Sequence, residues 1–102
     1  SSDLWQLARD VKRIDALTRD TTAITQAQNE EIARLLVIME DATDRLGQAG
    51  VRTNHPLIDE HREQFRADLD AARRGVMAKP PSYRLVEDVS AACMRCHEHG
   101  TR

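Results

Sequence analysis

Aromatic residues are nearly absent from this 102-residue chain: Trp5, Phe65 and Tyr83 are all it has. Small cores draw much of their buried area from aromatic rings. A core this poor in them is either a bundle of aliphatic helices or one completed by something other than side chains. An excess of one charge is missing too. Lys and Arg number 15 against 17 Asp and Glu, a formal net charge of −2, so no basic stripe tracks phosphates and nucleic acid is excluded as a partner. The longest apolar run, Leu35-Leu36-Val37-Ile38-Met39, falls far short of the ~20 residues that span a bilayer. No Gly or Pro occurs before Gly47, and no stretch alternates apolar and polar residues, so no strand is predicted. The chain starts at Ser1 without a methionine or an export signal, and we read it as a processed product whose leader is gone. Its length fits one domain over residues 1–102.

Apolar residues recur instead at helical spacing. Leu4, Leu7, Val11 and Ile14 form one stripe behind the cap residues Ser2 and Asp3. Ile32, Leu35, Leu36, Met39, Ala42 and Leu46 form a second, ended by Gly47 and Gly50. Residues 19–29 between them are rich in Asp, Thr and Asn, which favour caps and turns over helix interiors. The chain either turns there or continues as one helix from 3 to 46, a length that suits a dimer. A third stripe, Ile58, His61, Phe65, Leu69, Ala72 and Val76, follows Asn54 and Pro56 and closes at Gly75 and Pro80-Pro81. Ser82 opens a fourth, with Leu85, Val89, Ala92 and Cys96 on one face. The predicted fold class is all-α: an antiparallel up-down-up-down four-helix bundle, with helices near 3–20, 27–47, 55–77 and 82–99. That order gathers Leu4, Trp5, Leu7, the 47–55 loop, His55, His61 and the Cys93-to-His97 stretch at one end.

Both cysteines lie in that stretch, in the run Cys93-Met94-Arg95-Cys96-His97. Two thiols one turn apart can reach both vinyl groups of a haem as thioethers. A histidine directly after the second meets the iron from the same segment. Cys-x-x-Cys-His is accordingly the attachment signature of c-type haem. One covalent haem c is expected at this end of the bundle, with Cys93 and Cys96 carrying the thioethers and His97 as proximal iron ligand. Rival readings have less support. A thioredoxin-like redox pair sits at a strand-to-helix junction, and no strand is predicted. Zinc on Cys93, Cys96 and His99 lacks a second ligand pair. A disulfide across two residues is strained and closes almost no loop. Haem would also supply the apolar filler that the aromatic-poor bundle end lacks.

A helical bundle of this size with Cys-Met-Arg-Cys-His near its C-terminus resembles the class II c-type cytochromes, the cytochrome c′ group, which are up-down four-helix bundles. The resemblance covers the whole chain in architecture, and Cys93, Cys96 and His97 in specific residues. It implies thioethers at the two cysteines and proximal ligation by His97. The family usually has a basic residue four positions after the histidine, preceded by an aromatic. This chain has Thr101 and Gly100 there, with Arg102 one later. Low-spin members place a methionine in the first helix as sixth ligand, and this first helix has none. Its haem-end residues Leu4, Leu7 and Trp5 resemble instead the apolar distal face of five-coordinate members, which bind NO or CO.

Met39 reads as core filler; Met94, between the cysteines, cannot turn back to the same iron. His61 reads either as a partly buried, hydrogen-bonded histidine near a helix start or as a distal iron ligand. His55 reads as a loop residue and His99 as solvent-exposed. Arg9, Lys12, Arg13, Arg95 and Arg102 are candidates to neutralise haem propionates. Val37 and Ile38 extend the apolar surface of the second helix, as core edge or as a homodimer face. The expected function is one-electron transfer by a monohaem c-type cytochrome with a redox protein as partner. No acid–base pair or substrate pocket is visible, so no enzyme activity is expected. The alternatives are a five-coordinate haem module that binds or senses NO or CO, and the haem domain of a larger redox protein. Thioether attachment takes place outside the bacterial inner membrane, so the expected setting is periplasmic.

Overall fold

The turn between the first two apolar stripes is built from side-chain caps. Asp20 accepts hydrogen bonds from the N–H and hydroxyl of Thr22, at 3.1 and 2.6 Å, and so caps a 3-10 turn over Thr21–Ala23. Thr25 and Gln28 then cap each other. The Thr25 hydroxyl accepts the Gln28 N–H at 3.1 Å, and the Gln28 side-chain oxygen accepts the Thr25 N–H at 2.9 Å. This reciprocal pair satisfies two donors that a helix start otherwise leaves open. The single helix from 3 to 46 is therefore not formed.

The structure, a computed structural model, describes the backbone of residues 2–48, 50 and 52–100, and the side chains of these residues up to 94. Among the described residues there are five α-helices and no strand: α1 Ser2–Leu17, α2 Gln26–Gln48, α3 Pro56–Asp59, α4 Arg62–Met77 and α5 Arg84–Gly100. No helix is long and apolar enough to cross a membrane among the described residues. α2 runs on through Gly47, where the Arg62 guanidinium lies in the space a β-carbon would fill. The left-handed backbone comes later, at Gly50 with φ +63°.

The third predicted helix is two. α3 stops at Asp59, and the N–H groups of Glu60 and His61 both donate to the Pro56 carbonyl, at 2.9 and 3.1 Å. His61 takes φ −125° and ψ 27°, outside the helical region, before α4 begins. Ile58 and Phe65 both remain buried, but His61 between them is turned out and exposed. It does not lie on the buried stripe.

The four long helices enclose the core, with α1 against α2 and α5, and α4 against the same two. Ile14, Ile32, Leu36, Met39, Leu69, Val76 and Val86 are almost wholly buried, and each such side chain contributes about 1.5–3 kcal/mol relative to exposure. α5 uses a different face from the one its sequence predicts. Val86, Val89 and Ser90 are buried and Leu85 is exposed, so Cys93 continues the buried row, while the Cys96 side chain lies outside the described residues. Polar pairs also join the helices, α1 to α2 at the surface and α2 to α4 around the buried Glu40. Asp3 meets Arg45 at 3.0 Å and Arg13 meets Glu31 at 2.6 Å. Arg66 reaches Asp44 at 3.1 Å and Glu40 at 3.0 Å, and Arg73 reaches Glu40 at 3.2 Å. Burial pushes the Glu40 carboxyl up while Arg73 and Arg66 pull it down. Exposed pairs add little net stability because water and salt screen them, but they show which helix ends lie together.

Asp10 is the polar residue that sits worst in this core. It is buried on α1; its Oδ1 accepts from Gln6 at 2.8 Å, while Oδ2 has no hydrogen-bond partner among the described residues. Burial holds its carboxyl above the ordinary range, against the Gln6 hydrogen bond and the nearby Arg9 charge. A raised folded value means that the folded state binds the proton more tightly. The protein then loses stability as pH rises from the ordinary carboxylate value through the raised one. Asp10→Asn is expected to raise stability at neutral pH by about 1 kcal/mol, with the gap to wild type closing as pH falls. Urea unfolding of both proteins across this range checks it; a gap that does not change with pH contradicts it.

Candidate functional site

One end of the helix cluster is hollow. A cavity of about 260 Å³ is lined by Leu4, Trp5, Leu7, Ala8 and Val11 from α1, Met39 from α2, His55 before α3, Leu57 and Ile58 from α3, Phe65 from α4 and Cys93 from α5. The walls are almost entirely aliphatic or aromatic. The polar exceptions are the His55 imidazole and the Cys93 thiol. Trp5 stands on the rim, 71 % exposed. Phe65, by contrast, is buried, and Tyr83 is half-buried with its hydroxyl donating to Asn29 at 2.6 Å. Trp5 is thus an exposed aromatic ring beside an apolar recess. The recess lies just below the roughly 300–1,000 Å³ of sites that engulf a small molecule. Its lining is apolar apart from the Cys93 thiol and the His55 imidazole.

Local chemistry explains each wall. α1 contributes residues at helical spacing, so Leu4, Leu7, Ala8 and Val11 share a face. Cys93 arrives because α5 buries Val86, Val89 and Ser90, and position 93 comes next on that face. His55 is placed by a clamp in the preceding loop. The Asp59 carboxylate accepts the Thr53 N–H at 2.9 and 3.1 Å, the Thr53 hydroxyl at 2.9 Å and the Asn54 N–H at 2.9 Å. The Thr53 hydroxyl in turn accepts the His55 N–H at 3.2 Å. Asn54 adopts a left-handed φ of 64°, which asparagine tolerates better than most residues. Pro56 disfavours helical backbone before it, and His55 is accordingly extended at φ −110° and ψ 114°.

Of the residues singled out in the sequence, the structure brings Leu4, Trp5, Leu7 and Cys93 to this one cavity. His61 is exposed at the start of α4 and is not among the lining residues. The side chains of Arg95, Cys96, His97 and His99, and the whole of Thr101 and Arg102, lie outside the described residues. Met39 is both core and cavity wall. Arg13 is engaged with Glu31, and Arg9 donates to Gln6 at 2.9 Å. Val37 and Ile38 are exposed on α2. Sequence reading placed His55 at this end but not in the wall. Its signal was the Thr53-Asn54-His55-Pro56 run with an aspartate three residues on. Comparison with protein-family models, curated proteins and solved structures gives no match.

The clamp has a pH signature. The Thr53 N–H bond, with the Thr53 hydroxyl, the Asn54 N–H and the Arg52 charge, holds the Asp59 carboxyl below its ordinary range. A lowered folded value means that its contribution is complete above the ordinary carboxylate value. It is lost only as pH falls through the lower folded one. NMR of the Thr53 and Asn54 amides is expected to show both shifts moving together at a pH below the usual aspartate range. Movement at or above that range contradicts the clamp.

Proposed function

We propose that this chain is a monohaem c-type protein resembling the class II cytochromes, an antiparallel up-down-up-down bundle holding one covalent haem c, which passes single electrons to a redox partner in the periplasm. The observation that carries the reading is the shared cavity: Cys93, the first thiol of Cys-x-x-Cys-His, lines the same apolar recess as Leu4, Trp5 and Leu7. The up-down order is supported by the cross-helix pairs. Asp3 near the start of α1 meets Arg45 near the end of α2, while Arg13 late in α1 meets Glu31 early in α2. Between α2 and α4, Arg66 pairs with Asp44 and Arg73 with Glu40, again running in opposite senses.

Cys93 and Cys96 would hold the porphyrin through thioethers, and His97 would ligate its iron. The bound group supplies reversible one-electron chemistry at the iron. Leu7, Val11, Met39, Ile58 and Phe65 keep water out of the recess, and such a dry surround helps set the potential. Trp5 offers an exposed aromatic surface at the mouth, where a redox partner would approach. Lys and Arg nearly balance Asp and Glu over the whole chain, so net charge alone does not steer partner choice.

A second reading has one observation behind it. α1 lines the cavity with Leu4, Trp5, Leu7, Ala8 and Val11, none of which ligates iron. That wall suits a five-coordinate site that takes up NO or CO. The reduced absorption spectrum of protein from a host able to attach c-type haem, recorded with and without CO, separates the two. Electron transfer predicts a sharp low-spin spectrum that CO does not move. A high-spin spectrum that shifts with CO selects gas binding. Cys93→Ala is expected to leave one vinyl group unsaturated, which moves the alkaline pyridine haemochrome band. An unmoved band would rule out a thioether at Cys93.

A further inference from the structure

We propose that His55 is the second axial ligand of the iron; the inference rests on the haem reading above. Among the described residues lining the cavity, His55 and Met39 are the ones besides Cys93 with an atom that binds iron. Three observations favour the imidazole.

His55 is half-buried in an apolar wall, and its imidazole makes no hydrogen bond among the described residues. Neither ring nitrogen is among the buried polar atoms left without a partner, so the imidazole is accessible to one. A metal on the cavity side would be that partner. The backbone of His55 is also held from both directions. Its N–H donates to the Thr53 hydroxyl at 3.2 Å, and its carbonyl accepts from the N–H groups of Ile58 and Asp59 at 3.0 and 2.9 Å. Asp59 ties Thr53 and Asn54 to the same turn, and Pro56 restricts the backbone further. The backbone is thus anchored at the start of α3, where His55 joins Leu57 and Ile58 in the wall of the recess. That is how a ligand-bearing loop is pre-organised.

Met39, the third point, is already accounted for. It is 1 % exposed and packed in the core midway along α2, so turning its sulfur to an iron would empty space that it now fills. His61 is exposed and outside the cavity wall. With imidazoles at both axial positions the iron is six-coordinate and low-spin. The resting site is then closed to diatomic gases, in keeping with electron transfer.

The test uses the full chain matured with c-type haem. Intact mass first reports whether haem is attached, and EPR with absorption then reports the iron's ligands. Wild type is expected to be low-spin in both oxidation states. His55→Ala is expected to become high-spin and to bind CO, and added imidazole is expected to restore the low-spin spectrum. His55→Met, which keeps a donor of similar reach, is expected to give the charge-transfer band of a thioether bound to ferric iron. It serves should His55→Ala fail to fold. Attached haem that is high-spin in wild type overturns the proposal while leaving the haem reading intact. So does a low-spin spectrum that survives in His55→Ala without added imidazole, a His55→Met spectrum identical to wild type with no thioether band, or a low-spin spectrum that disappears with Met39→Leu or His61→Ala instead. A polypeptide with no attached haem overturns both.

Discussion

Helix α5 packs Val86, Val89 and Ser90 into the core, and this rotation about its own axis carries Cys93 to the wall of the hollow end. Everything proposed for the site depends on that register. Were α5 turned to bury Leu85 instead, the first thiol of the pair would leave the face that meets α1. Aliphatic burial of Val86 and Val89 favours the register, whereas the buried Ser90 hydroxyl has no hydrogen-bond partner among the described residues. The burial of Val86 and Val89 is thus set against the cost of one unsatisfied hydroxyl, and at roughly 1.5–3 kcal/mol per buried aliphatic side chain the two valines prevail.

The same end of the molecule combines a stiff frame with a hollow interior. The capped turn at Asp20 to Gln28 lies at the other end, and the long helices between are joined by ion pairs and by the Tyr83–Asn29 hydrogen bond. Around the cavity, the Asp59 clamp gives the 53–59 segment a fixed shape without any large buried area. The recess there is walled by apolar side chains, and Trp5 is exposed beside it. A tethered porphyrin would occupy that recess. In the proposed reading the cofactor is therefore part of the core as well as the site of chemistry.

Much of the helical framework could be read from residue spacing, and the places where it could not have physical causes. The α1 and α2 stripes, Leu7 to Ile14 and Ile32 to Leu46, are buried where the spacing puts them. Long periodic patterns leave no other face to bury. On α5 two stripes compete: Leu85, Val89, Ala92 and Cys96, or Val86, Val89, Ser90 and Cys93. They share Val89, and contact with α1 and α4 decides between them. The break after Asp59 has no Gly or Pro to announce it, so Ile58, His61 and Phe65 read as one face. Two N–H groups sharing the Pro56 carbonyl rotate His61 outward, and the histidine that reaches the recess is His55. Asn54 looks like the helix cap from sequence, but Asp59 makes the bonds, reaching back to residues already passed. Such backward caps depend on tertiary placement that local propensity does not encode.

The central claim is covalent: a porphyrin bonded through sulfur beside the recess. Intact-mass spectrometry under denaturing, acidified conditions tests it directly, on chain produced in a host that exports and matures c-type haem proteins. One haem mass added to the polypeptide, retained after organic extraction and confined to a peptide containing Cys93 and Cys96, is the predicted result. A mass equal to that of the amino acids alone contradicts it.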